Sequence, residues 1–209
     1  MQTRTYADLF SLIQALCGVV FASIETGRIK ALINRRAQRA YRSSNYWTRF
    51  LKIGEERVVT SGVMPYTEAG LSSVDTFLRI FKQAPYISSS VQEFDFTVTA
   101  DGATLVAGDL DPSSAFLTYK AQFTDTYGPG LPDGLSTDVT SVPAEWFQYL
   151  AHGTYADYLR AEGQQEKAAL ADQEAEALLT EELIRLDENH TSGFVSNRIR
   201  TNANMQLRW

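Results

Sequence analysis

The apolar residues of this chain change their period twice, and nothing else in the sequence limits the possible folds as much. Over residues 5–54 they recur every three or four positions, the spacing of one helix face. From Glu55 they alternate with polar residues, as on half-buried strands, and from Val142 the helical spacing returns. Helices and strands that come in blocks, rather than in alternation, point to the α+β class. The expected architecture is an antiparallel helical bundle of about four helices, with an inserted β-rich domain and an extended C-terminal tail. Residues 1–54 and 142–188 would form the bundle, 55–141 the β-rich insert with a long Gly/Pro loop, and 189–209 the tail. With 209 residues, 44% of them hydrophobic, such a chain can bury a real core.

The first helix should start from Thr5 as N-cap and carry Leu9, Phe10, Ile13, Leu16, Cys17 and Val20 on one face. Gly18 weakens it and Thr26-Gly27 reads as the turn, so a second helix is expected from Arg28 to Ser43. Its apolar stripe is Ile29, Leu32, Ile33, Ala37, Ala40 and Tyr41, and its other face holds Arg28, Lys30, Arg35, Arg36, Arg39 and Arg42. Strands are expected at 57–60, 74–81, 93–99 and 116–123, with Asp101-Gly102 as a hairpin turn before 104–107. The Gly-, Pro- and Asp-rich stretch 126–142 reads as a long irregular connection. Pro143 and Glu145 then open an aromatic helix carrying Trp146, Phe147, Leu150, Tyr155, Tyr158 and Leu159. After a break at Gly163, a fourth helix over 164–188 lines up Ala168, Ala171, Ala175, Leu178, Leu179, Leu183 and Leu186. The segment 189–209 shows neither period and reads as an extended piece with spaced apolar anchors.

Charge is segregated. Residues 1–57 hold ten Lys/Arg against four Asp/Glu, and residues 162–188 hold two against nine, within a net charge of −6. Residues 189–209 hold Arg198, Arg200 and Arg208 and no acid. Such blocks favour charge-steered contact within the chain or between copies of it. Arg35, Arg36, Arg39 and Arg42, facing Glu174 and Glu181, are the residues expected at an intersubunit charge face. An arginine stripe can also bind nucleic acid, but the acidic balance favours pairing with acids of this chain or a neighbour.

The motifs of common chemistries are weak. Two histidines, His152 and His190, and one cysteine cannot build a zinc site of the usual kind, and His152 reads as a packed or half-exposed residue. Cys17 sits in an apolar run and reads as a small buried hydrophobe. No phosphate-cradling glycine pattern and no nucleophile elbow appears. Asp172, Glu174 and Glu176 read as a solvated face. The adjacent pairs Glu55-Glu56 and Glu181-Glu182 leave open a glycan-cleaving carboxylate pair, which needs two carboxylates set across a cleft. No stretch reaches the roughly 18 apolar residues of a membrane span. The composition therefore points away from an enzyme, and no metal or cofactor is expected.

One resemblance ties these parts together. A helix ending in Leu32-Ile33-Asn34-Arg35-Arg36-Ala37, then Tyr46-Trp47, a β-rich insert, and Val142-Pro143-Ala144-Glu145-Trp146-Phe147-Gln148-Tyr149-Leu150 opening an aromatic helix form one layout. A long Glu/Ala/Leu helix and a polar tail complete it. This layout resembles the head-to-tail adaptor proteins of tailed bacteriophages, of the tail tubular protein A and gatekeeper type. The resemblance implies a structural neck protein of the virion, assembled in the host cytoplasm. Copies, twelve in such adaptors, would form a homo-oligomeric ring under the portal. The ring would prolong the channel through which genomic DNA passes without sequence-specific binding, and would carry the nozzle or tail tube. It also implies that the tail docks on the portal, with Phe194, Arg198, Ile199, Arg200, Met205, Leu207, Arg208 and Trp209 as its contacts. An acidic lumen that repels DNA would suit the negative block. The rival readings are a muralytic tail accessory protein, a cellular helical binding module, and another neck or head-completion component.

Overall fold

The computed structural model describes residues 3–85, 92–106, 112–123 and 141–206, those from 189 on by backbone alone. Along the chain the elements are β1 (Thr3–Thr5), α1 (Tyr6–Cys17), α2 (Ser23–Ser43), β2 (Leu51–Val58), β3 (Val63–Pro65), β4 (Val74–Phe81), β5 (Phe96–Val98), β6 (Gly102–Leu105), β7 (Ser114–Ala121) and β8 (Ser141–Pro143). A 3-10 turn at Ala144–Trp146, α3 (Phe147–Ala161) and α4 (Gln165–Gln206) follow. They sort into two compact units, Met1–Ser44 with Asp125–Trp209, and Asn45–Thr124. The chain is α+β: the described helices lie in the first unit with one short antiparallel ribbon, and the second unit holds antiparallel sheets.

In the first unit Thr5 caps α1 through a reciprocal pair: its Oγ1 accepts from Asp8 N at 3.1 Å, and Asp8 Oδ2 accepts from Thr5 N at 3.1 Å. Gly18, at φ +68, closes α1 in the left-handed conformation that glycine adopts without penalty. The turn therefore falls at 18–22 rather than at Thr26-Gly27. Glu25 Oε2 accepts from Ala22 N, and Thr26 and Gly27 lie inside α2, the Thr26 hydroxyl bonding back to the Ala22 carbonyl. Val20, expected on the buried face of the first helix, stands in that turn and is 88% exposed. A short ribbon unforeseen in the sequence pairs β1 antiparallel with β8, Arg4 opposite Val142.

Helix α3 packs against α1, α2 and α4. Accordingly it is buried nearly all round, from Phe147, Tyr149, Leu150 and Ala151 to Ala156, Asp157 and Leu159. Glycine 163, at φ +79, turns the chain into α4, which lays small residues, Ala168, Ala171 and Ala175, toward the core and ends its buried run at Leu179 among the described side chains. The helix continues through Gln206, where an extended tail from Asn189 was expected. No proline interrupts 189–206, and the low helix propensity of its Asn, Ser and Thr residues is a weak brake on a helix already propagating.

Among the described residues the second unit holds two three-stranded antiparallel sheets, ordered β2-β7-β4 and β3-β6-β5. Their shared core includes Met64, Val74, Phe77, Ile80, Leu105, Leu117 and Tyr119, with Phe94 and Phe96 packed on it. The strand expected at 57–60 in fact starts at Leu51, four residues after Trp47, and ends at Val58. Gly54, at φ +62, takes up the register shift between Lys52 and Glu55 against β7. The alternation over 93–99 yields only the short β5. The Asp101-Gly102 hairpin joins it to β6, and Gly102 lies so close to the Met64 carbonyl that a Cβ there would overlap it. Most of the Gly/Pro connection lies outside the described residues.

Candidate functional site

Each unit buries an arginine, and around these two residues the polar chemistry of the molecule collects. Arg36 lies on the inner stripe of α2 with Ile29, Ile33 and Ala40, 3% exposed. Its side chain passes Gly153 of α3, where an added Cβ would sit 3.0 Å from Arg36 Cδ. The guanidinium then meets Asp157 edge-on: Nε donates to Oδ2 at 2.9 Å and Nη2 to Oδ1 at 2.8 Å. That is the bidentate geometry for which a guanidinium is shaped.

The network extends from this centre. Arg36 Nη2 lies 2.7 Å from Asp172 Oδ1 and Nη1 lies 3.6 Å from Glu176 Oε1, both acids on α4. Arg160 bridges Asp157 at 2.9 Å and Asp172 at 2.6 Å. Arg35 reaches Asp157 at 3.2 Å, and Arg39 pairs with Glu176 at 3.0 Å. Burial works against the Arg36 charge, but Asp157 and Asp172 more than offset it and hold the group above its ordinary range. For Asp172, burial pushes upward and the hydrogen bonds from Arg160 and Arg36 win, leaving the carboxyl below its usual value. Tyr149, beside Arg36, is raised by burial. The arrangement clamps α2, α3 and α4 together by charge, and each of its carboxylates is already engaged by a guanidinium.

The second arginine, Arg57 on β2, is 1% exposed. One nitrogen, Nη2, donates to Tyr119 Oη at 2.7 Å, to Glu55 Oε2 at 3.2 Å and to the Ser72 carbonyl. Tyr119 in turn donates to Glu55, and the Arg57 guanidinium carbon lies 4.5 Å from the centre of the Tyr119 ring. Nε and Nη1 are buried with no hydrogen-bond partner among the described residues. Burial raises the Tyr119 hydroxyl above its ordinary range.

Against the sequence expectations, the outcome is mixed. Arg35, Arg36 and Arg39 do meet acids, but within the chain, and the central acid is Asp157 of α3 rather than one on α4. Arg36 is buried and is not part of an exposed charge face. Asp172 and Glu176, expected on a solvated face, turn inward to Arg36. Glu174 faces His152 at 3.3 Å, Glu181 and Glu182 hold Arg185, and Arg42 stands exposed in the last turn of α2. Of the other carboxylate pair, Glu55 serves Tyr119 and Arg57, while Glu56 accepts from Ser114 Oγ at 2.9 Å. Cys17 is half-buried, and burial pushes its thiol up to about 11, which makes it a poor nucleophile.

The side chains named for portal docking lie outside the described residues, the backbone of Phe194, Arg198, Ile199, Arg200 and Met205 falling within α4. Among the described residues no cluster of His, Cys, Asp and Glu could hold a metal, and no helix is long and apolar enough to cross a membrane. Asp157 and Arg57 were missed in the sequence. The available signal was positional: Arg36 falls three residues after Ile33 and four before Ala40, so it shares their helix face.

No family model matches the chain, and no curated protein matches it either.

Proposed function

We propose that this chain is a structural head-to-tail adaptor of a tailed bacteriophage. In this reading its helical elements act as an antiparallel bundle, and copies, twelve to a ring, sit beneath the portal in the virion. They prolong the DNA channel and give the nozzle or tail its platform. The order of elements supports it: a helical unit interrupted by a β unit, then an aromatic helix and a long terminal helix. The observation that carries it is the length of α4. Its 42 residues span about 63 Å, and its last fully buried described residue is Leu179. The segment beyond the core is long enough to act as an arm, with 189–209 as its portal-docking end. The Arg36 network supports the same role mechanically, since it bolts the base of that arm to α2 and α3.

The test is light scattering of the purified chain with and without its cognate portal ring, for the full-length protein and for one truncated after Glu188. The expected result is a large complex formed by the full-length chain alone. If neither form binds the portal, the adaptor reading fails.

A further inference from the structure

Where α2, α3 and α4 meet, the Arg36 network leaves three buried polar atoms without a hydrogen bond among the described residues. Arg36 Nη1 is one. Glu176 Oε1, also buried, stands 3.6 Å from it, too far for a hydrogen bond. The third is the hydroxyl of Tyr149, a side chain fully buried in α3. Tyr149 and Arg36 each act on the other as a side-chain hydrogen-bond neighbour, which sets the hydroxyl beside this guanidinium, yet no bond is aligned on its oxygen.

The contacts around these atoms keep them apart. Nε and Nη2 of Arg36 are fixed on Asp157 at 2.9 and 2.8 Å, so the guanidinium cannot turn Nη1 toward Glu176. The other oxygen of Glu176 accepts from Arg39 Nη2 at 3.0 Å, which holds that carboxylate back. A direct bond between Nη1 and Oε1 would also leave the Tyr149 hydroxyl unpaired. Buried polar groups are nearly always satisfied, by protein or by ordered water.

The chemistry of the three atoms selects the occupant. A guanidinium nitrogen can only donate, a carboxylate oxygen can only accept, and a phenol does either. An anion would meet the carboxylates of Asp172 and Glu176, and a metal ion would meet the guanidinium. The occupant is therefore neutral and must accept and donate together. Water does both, and three partners is the usual number for a buried water molecule. We propose that one ordered water is a built-in part of the joint between α2, α3 and α4, held by Arg36 Nη1, Glu176 Oε1 and Tyr149 Oη. Each of the three helices supplies one of its partners. The inference does not depend on the adaptor reading.

The test is a crystal structure of the full-length chain at a resolution that shows ordered water. The expected result is a water about 2.7–3.2 Å from all three atoms. A direct bond between Nη1 and Oε1 with no water beside it overturns the proposal. In solution, water magnetic relaxation dispersion counts the long-lived internal waters. Tyr149→Phe combined with Glu176→Leu leaves the site one polar partner and should lower that count by about one per molecule. An unchanged count in a folded double variant also overturns the proposal, and if that variant does not fold, the crystal structure of the wild-type chain decides alone.

Discussion

The two buried arginines answer the same problem in opposite ways. Arg36, on a helix, is met by carboxylates from two other helices, with partners at both of its edges. Arg57, on a strand, crowds a tyrosine, a loop carbonyl and one partly exposed glutamate onto a single nitrogen; among the described residues its Nε and Nη1 have no hydrogen-bond partner, whereas Arg36 lacks one at Nη1, which Glu176 still faces at 3.6 Å. The difference follows from what each scaffold can offer. Inside a helical unit the backbone groups are already used within their own helices, so a buried cation must be neutralised by side chains. Next to a sheet, the connecting segments have spare carbonyls, and Ser72 supplies one. Desolvating a guanidinium costs several kcal/mol, and the helical unit recovers it through several carboxylates where the β unit combines the one carboxylate of Glu55 with dipoles and a ring face.

Breaking the centre of the helical network should have the largest effect. Asp157→Ala removes the bidentate partner and leaves Arg36 buried against the two acids of α4 alone. We expect a loss of about 3 kcal/mol or more in urea unfolding followed by helical signal. Arg36→Met with Asp157→Leu, which removes both charges, should recover most of that loss. If the double variant is as unstable as the single one, the network stabilises by more than charge pairing. Gly153→Ala comes next, because its methyl would press on Arg36 Cδ while both ends of that side chain are held; about 2 kcal/mol is expected in the same measurement. In the β unit, Arg57→Met should cost only about 1–2 kcal/mol, since Glu55 keeps access to water and Tyr119 keeps its glutamate. A cost equal to that of Asp157→Ala would remove the distinction between the two units.

The smallest effect sharpens the comparison through pH. The folded carboxyl of Asp172 titrates below its ordinary value of 3.8, so its contribution is fully present above about pH 4 and is lost as pH falls through the folded value. Asp172→Asn should therefore flatten the acid limb of the stability profile below about pH 4, at the cost of lower stability near neutrality. An unchanged acid limb would place the acid sensitivity of the helical unit elsewhere.

Periodicity alone was enough to separate helical from β sequence, because each element reports its own repeat through the residues it buries. It located α1 through the Thr5 cap, α3 through Pro143 and its aromatics, and β4 and the Asp101-Gly102 hairpin through alternation and turn chemistry. It misplaced the α1–α2 turn, because Gly18 and Gly27 are equally plausible breaks locally, and only the packing of Phe21 against Phe10 and Tyr158 selects the first. The short strands β1, β3 and β8 were illegible for a related reason: three residues carry no measurable period, and their existence depends on a partner distant in sequence.

The sequence by itself settled the class of the fold, the order of its blocks and the need for the α2 arginines to find acids. Which acids they find was a decision of tertiary structure. Asp157, Asp172 and Glu176 are ordinary surface letters in one dimension, and Arg36 differs from Arg35 and Arg39 only in its angular position on the helix. Once α3 and α4 pack against α2, that difference of about 100° per residue carries one guanidinium into the core and leaves its neighbours at the rim. Burial then makes that charge depend on carboxylates more than a hundred residues away in sequence, because in a low-dielectric interior a charge is tolerated only where its counter-charges are already fixed.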